Sequence, residues 1–134
     1  MGTVTSQSLV VGVEAMDDQR GILMDTLNEL RQQLNRGNGS SKLSPQLVRL
    51  VEFAEMHFGC EESLLRRYGF PGLEEHAAAH QELLDQMRHA TDRAERGAEA
   101  ELHRSLSFLR GQYIAHVERL DRKYAEWLNA RGVY

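Results

Sequence analysis

The sequence predicts an all-α protein, an antiparallel up-down four-helix bundle preceded by an irregular N-terminal arm. Three observations point there. Among 134 residues there are eighteen leucines but only two isoleucines and two prolines, which favours helix over the β-branched composition of sheets. Strong breakers fall in only three places, RGNGSSKLSP at 36–45, GFPG at 69–72 and RGAEA at 96–100, and divide the chain into four long segments. Each segment then carries one seam of residues spaced alternately by three and four. The whole chain, 1–134, reads as a single domain: an arm over 1–16 and helices at about 17–36, 45–68, 72–95 and 98–131.

The first helix is expected to begin near Asp17, with a seam of Val13, Met16, Arg20, Leu23, Leu27, Leu30 and Leu34. The second should follow a Ser44 cap with Pro45 at its first position, where a missing N–H costs nothing, and its seam is Leu47, Leu50, Ala54, His57, Glu61, Leu64 and Tyr68. The third starts after Pro71, with Glu74 and Glu75 favouring its N-terminal turn through the helix dipole. Its seam is Leu73, His76, His80, Leu83, Met87, Ala90 and Ala94. The fourth starts near Ala98 and gives Leu102, Leu106, Leu109, Tyr113, His116, Leu120, Lys123 and Trp127, with Asp121 one step to the side. Every seam is apolar at its ends and polar in one short stretch.

Those polar stretches carry the chemistry. An ionisable group on a bundle seam loses hydration worth several kcal/mol, which only partners or a metal offset. Four of the six histidines (His57, His76, His80 and His116) and two carboxylates (Glu61 and Asp121) lie there together, whereas His89 and His103 fall on solvated faces. His57 with Glu61, and His76 with His80, are four apart and project from one helix face, as two-point metal clips do. His116 and Asp121, five apart, sit about 140° around a regular helix and would reach a common site from different directions. Mixed N and O donors without a thiolate favour iron over manganese or zinc, with two metals close together. The alternative is a satisfied polar network without metal. Cys60 flanks the clip and reads as a small buried hydrophobe rather than a ligand.

With these residues in order, the chain resembles the hemerythrin family, and in particular its single-domain bacterial members. The resemblance rests on VGVEAMDDQ at 11–19, HFGCEE at 57–62, YGFPGLEEHAAAH at 68–80 and HVERLDRKY at 116–124. It implies a non-haem di-iron pair that binds O2 reversibly. One iron would take His76, His80 and His116, and the second His57 and a further histidine from the first helix, with Glu61 and Asp121 bridging both. That last histidine is missing: the family has it directly after the D-x-Q stretch, and here Arg20 follows Asp18-Gln19. A guanidinium has no lone pair to give. Three placements of Arg20 follow. It pairs with Glu61 or Asp121 in the second metal's place, it sits beside a second iron with an open position, or it turns outwards. The family's apolar Trp-Leu pair before the last histidine is here Gln112 and Tyr113, and Thr5 stands near the place of an N-terminal Trp. Tyr113 reads as a core aromatic whose hydroxyl reaches a seam group, with a proton donor at the pocket as the alternative.

The functional expectation is a binding protein rather than an enzyme: a carrier, store or sensor of O2 or a related small ligand at a carboxylate-bridged di-iron site altered at Arg20. The alternatives are a peroxide- or NO-reducing di-iron enzyme, in which Arg20 and Tyr113 act on the ligand, and a mono-iron or degraded-site bundle. A net charge of −4 without a basic stripe argues against nucleic acid. No apolar run approaches a membrane span, and the N-terminus lacks the charged region of a signal peptide. With one cysteine and no disulfide to form, a cytoplasmic protein is expected. No signalling domain is expected after Tyr134, so sensing would act through a separate partner.

Overall fold

The computed structural model describes residues 9–134. Four long helical rods run antiparallel: α1 (Glu14–Asn35), α2 (Ser40–Tyr68), α3 (Leu73–Glu95), and a last rod made of α4 (Glu99–His116), a π turn (Val117–Asp121) and α5 (Arg122–Asn129). Each rod packs on the next, and α1 closes against α4, which is the up-down four-helix bundle. The Thr5 position lies outside the described residues.

The three- and four-residue spacing puts the expected leucines inside. Leu23, Leu27, Leu30, Leu47, Leu50, Met87, Ala90, Leu102, Leu106 and Leu109 are all buried in one large apolar cluster. A smaller one, of Val13, Met16, Leu65, Tyr124, Ala125 and Leu128, fills the other end. The polar residues lie between these two clusters, so both ends of the bundle exclude water from them.

Two helices begin earlier than expected. α1 begins three residues before Asp17, whose carboxylate reaches back to accept the N–H of Val11 (2.9 Å) and of Gly12 (3.1 Å). Gly12 holds φ +117°, and a Cβ there would meet Asn129 Oδ1 at 2.9 Å, so only glycine fits where the arm crosses the C-terminal helix. α2 begins at Ser40, and Pro45 therefore sits inside it and leaves the carbonyl four residues earlier without its helical donor. The extra turn is held by Leu43, which is fully buried. Gly69, at φ +71°, ends α2 in the left-handed cap, with Phe70 N–H bonded to the Leu65 carbonyl at 2.9 Å.

The last rod departs most. The π turn bonds Arg122 N–H to the Val117 carbonyl, i to i−5, and so inserts one residue into the helical count. Beyond His116 the buried face moves by one. Asp121, Tyr124 and Leu128 face inwards, while Lys123 is exposed and Leu120 and Trp127 are half-buried. The same turn brings Asp121 towards the face of His116, in place of the 140° of a regular helix. On α2 the seam runs from Glu61 to Leu65, leaving Leu64 half-buried and Tyr68 exposed. His89 and His103 are exposed as expected, and Cys60 is half-buried beside Met56, at 3.7 Å between sulfurs.

Candidate metal centre

The polar stretches of the four rods meet in one layer. Glu61 from α2, His76 and His80 from α3, His116 from α4 and Asp121 from the π turn are all buried, and one donor atom of each lies within 4.8 Å of every other. Asp121 Oδ1 stands 3.1 Å from both His76 Nε2 and His116 Nε2, and Glu61 Oε1 stands 3.1 Å from His80 Nε2 and 3.5 Å from His76 Nε2. None of these five atoms has a hydrogen-bonded partner. A buried polar atom without a partner costs on the order of 1–3 kcal/mol. Five of them facing one another form a nest of lone pairs that fits a cation, of the 3N/2O donor set that iron accepts.

The His80 ring is held in the tautomer this requires. Glu62 Oε2 lies 2.7 Å from His80 Nδ1, so that nitrogen keeps the proton and leaves Nε2 free for the cluster. Phe58 stacks on the His80 ring with centroids 4.0 Å apart. Gln19 Oε1 does for His57 what Glu62 does for His80, at 2.9 Å from Nδ1. His57 Nε2 nevertheless lies apart from the group of five, 3.6 Å from the other oxygen of its helix partner, Glu61 Oε2. Burial pushes His57 below its ordinary pKa and keeps the ring neutral, against the pull of Glu61.

On this second side stands Arg20. It is fully buried, and all its N–H groups are used. Nε donates to Asp121 Oδ2 (2.9 Å), and Nη2 to Glu61 Oε2 (3.1 Å) and Tyr124 Oη (2.7 Å). Nη1 donates to Asp17 Oδ1 (2.5 Å) and the Leu9 carbonyl (3.3 Å). Tyr124 in turn donates to Glu61 Oε2 at 2.5 Å. Of the three placements open to Arg20, the structure takes the inward one, paired with Glu61 and Asp121 at once. Each carboxylate is thereby divided, one oxygen to the imidazoles and one to the guanidinium.

The electrostatics follow. Burial works to raise the Glu61 carboxyl, but His76, His80, His57 and Arg20 hold it well below the usual range. Asp121 is also lowered, with His116 and His76 outweighing burial and the neighbouring Glu61 charge. Burial opposes a charge on His76, yet Asp121 and Glu61 prevail and its pKa is pushed up to about 9.

The chain matches the hemerythrin HHE cation binding domain over residues 11–128. It belongs to the hemerythrin family. It is 28% identical to the bacteriohemerythrin of Methylococcus capsulatus over 129 residues, 96% of this chain and 97% of that one. The crystal structure of wild-type hemerythrin shares the fold, with a TM-score of 0.76 at 24% identity over 94% of this chain and 96% of that one. Of the hemerythrin donors anticipated from the sequence, the fold gathers Glu61, His76, His80, His116 and Asp121 and leaves His57 beside them.

Sequence reasoning missed Tyr124, Asp17, Gln19 and Glu62, which tie down Arg20, His57 and His80. For Tyr124 the signal was Asp121 itself: counting the seam onward from that residue reaches Tyr124 and Leu128, whereas counting from Leu120 reaches Lys123 and Trp127. Tyr113 differs from expectation, since its hydroxyl reaches no seam group and has no partner. A cleft of about 310 Å³ between α3 and α4, lined by Ala78, Ala79, Gln112 and Ala115, leads to the edge of His116. Among the described residues no helix is long and apolar enough to cross a membrane.

Proposed function

We propose that this hemerythrin-family chain is a non-haem iron protein that holds one iron on His76, His80, His116, Glu61 and Asp121 and binds O2 or a related small ligand there. In this reading the Arg20 guanidinium stands where the resemblance puts a second iron. One observation carries it. The outer oxygens of both carboxylates, which would bridge to a second metal, already accept hydrogen bonds from Arg20, whose five N–H groups are all engaged. A second metal there would have to displace a buried cation from three carboxylates, counting Asp17, and leave that cation unpaired, a cost of several kcal/mol.

Ferrous iron, held by these five donors, would supply the centre to which a small ligand binds. The rest is done by the chain. Glu62 and the Phe58 stack fix the His80 ring, so its donor atom needs no reorientation. The apolar clusters above and below exclude water, and the α3–α4 cleft gives a small molecule a path to the His116 side. Arg20 lends one positive charge to the carboxylates without presenting a free donor to the ligand. That weakens the reductase reading, in which Arg20 acts on an anionic oxygen species, and favours binding and release.

The test is iron per chain after anaerobic ferrous loading and desalting. About one iron, with a spectral change on adding O2 or azide, is expected. Two irons in the wild-type protein would overturn the single-metal reading, and no iron would overturn the metal reading altogether. Arg20→His should raise the count towards two.

A further inference from the structure

Two tyrosines enter the buried polar layer, and the fold treats them in opposite ways. Tyr124 is enclosed by partners: its hydroxyl accepts from Arg20 Nη2 at 2.7 Å and donates to Glu61 Oε2 at 2.5 Å. Tyr113 is as deeply buried, with no solvent exposure, yet its hydroxyl touches no donor or acceptor of the protein. It lies on α4 one turn before His116, its ring nearly parallel to that imidazole with centroids 6.5 Å apart. The phenol is close enough to the cluster to feel the charges of Asp121, Arg20 and Glu61. Burial, reinforced by Asp121 and Glu61 against the opposing pull of Arg20, raises its pKa well above the ordinary value, so the group is a neutral O–H with a proton to donate.

An unpaired buried hydroxyl costs on the order of 1–3 kcal/mol, and phenylalanine would fill the same space without that cost. No acceptor of the layer bonds to the Tyr113 hydroxyl. The outer oxygens of Glu61 and Asp121 are bonded to Arg20, and their inner oxygens face the imidazoles. Arg20 has no N–H left, so Tyr113 is the one hydroxyl among the described residues of this layer that remains unspent.

We infer that Tyr113 is the ligand-directing residue of this site: its hydroxyl donates a hydrogen bond to the small molecule bound at the metal, and selects for ligands whose outer atom carries negative charge. The inference rests on the metal reading above. It assigns to Tyr113 no part in holding the metal and none in the bundle's packing beyond its ring. A dry pocket holds a neutral diatomic by size alone, whereas an O–H aimed into it retains azide, and O2 that has drawn charge from the metal, more strongly than carbon monoxide.

The test compares wild type with Tyr113→Phe in three measurements. Iron content after ferrous loading should be the same in both. The azide dissociation constant of the oxidised protein should rise about tenfold in the variant, equivalent to about 1.4 kcal/mol, while carbon monoxide affinity of the reduced protein stays within about twofold. The melting temperature of the metal-free variant should equal or exceed that of wild type, because an unpaired polar group has been removed. Full iron loading with unchanged azide affinity would overturn the role of Tyr113 and leave the metal reading standing. A metal-free variant that melts several degrees lower would show that the hydroxyl has a structural partner, which also overturns it. A wild-type protein that takes up no iron overturns the metal reading, and the inference with it. Tyr124→Phe, which removes a fully paired hydroxyl, should lower the metal-free melting temperature and serves as the contrasting variant.

Discussion

The two oxygens of each buried carboxylate face different worlds. Glu61 Oε1 and Asp121 Oδ1 meet only imidazole nitrogens, at 3.1–3.5 Å and without a hydrogen bond among them. Glu61 Oε2 and Asp121 Oδ2, on the other side of the same groups, are bound by the guanidinium of Arg20. On the Arg20 side the carboxylate oxygens are met by protein donors, and on the imidazole side they are not. The half completed by Arg20 is hydrogen-bonded without metal, whereas the imidazole half is not, and there only the charge that His76 gains beside Asp121 and Glu61 offsets the cost of burial. A single residue on α1 decides which half is which.

The largest expected effect comes from breaking the completed half. Arg20→Leu leaves Glu61 and Asp121 buried without the guanidinium counter-charge, and removes one partner each from Asp17 and Tyr124. A loss of about 3–5 kcal/mol is expected for one member of a buried pair. With a melting shift of about 2–8 °C per kcal/mol for domains around this size, the metal-free protein should melt at least about 6 °C lower. Calorimetry of the metal-free variant measures it. A shift below about 3 °C would mean that the guanidinium contributes little and that the two halves are more alike than their hydrogen bonding implies.

The imidazole half should respond in the opposite sense. Glu62→Ala removes the acceptor that fixes the His80 tautomer and leaves the packing untouched, because the Glu62 side chain is partly exposed. Iron affinity should fall by about 10–100-fold, as for other residues that orient a metal-bound histidine, while the metal-free melting temperature stays within about 2 °C. Competition with a chelator of known affinity reads the first and thermal unfolding the second. Equal loss of both would place Glu62 in the stability of the bundle rather than in the orientation of the ligand.

The pH dependence separates the halves without a mutation. In the metal-free protein His76 titrates at about 9, above its ordinary 6.5, because Asp121 and Glu61 outweigh its burial. A raised folded pKa contributes stability that is full below about 6.5 and is lost as pH rises through about 9. The metal competes for the same nitrogen and must displace that proton. Iron affinity should therefore rise about tenfold per pH unit between pH 7 and 9 for one proton released, while metal-free stability declines over the same range. Proton release measured on loading a weakly buffered solution checks the count. Affinity independent of pH would mean that His76 is already neutral before metal arrives.

Much of this division was legible in the sequence, and what was not has a physical cause. The bundle, the buried leucine seams and four of the five gathered donors, all but Asp121, follow from spacings of three and four, because a helix turns side chains four apart to one face. Arg20 was visible as the wrong residue at a seam position, but its partners were not, since spacing along α1 says nothing of which oxygen on α2 or the π turn a guanidinium reaches. The π turn itself was hidden because a five-residue step reads as a misplaced carboxylate until the backbone is seen to bond i to i−5. That one inserted residue also explains why Tyr124 and Leu128, rather than Lys123 and Trp127, face the core.

The smallest effect should come from the path between solvent and the imidazole half. The cleft between α3 and α4 is lined by three small side chains, Ala78, Ala79 and Ala115, together with larger ones such as Gln112, Arg119 and Leu120, and reaches His116. Ala115 is half-buried, and Ala115→Met extends a flexible side chain across the cleft without entering either apolar cluster. Narrowing a path raises the barrier for entry and exit alike. Association and dissociation of azide should therefore slow together, by about tenfold or less, with the dissociation constant unchanged. Stopped-flow mixing resolves the two rates. Tyr113→Phe should do the reverse, speeding release with little effect on entry, because it removes a bond made only after the ligand has arrived. If Ala115→Met changes neither rate, ligands reach the metal from another side, and the Arg20 half becomes the place to look for an opening.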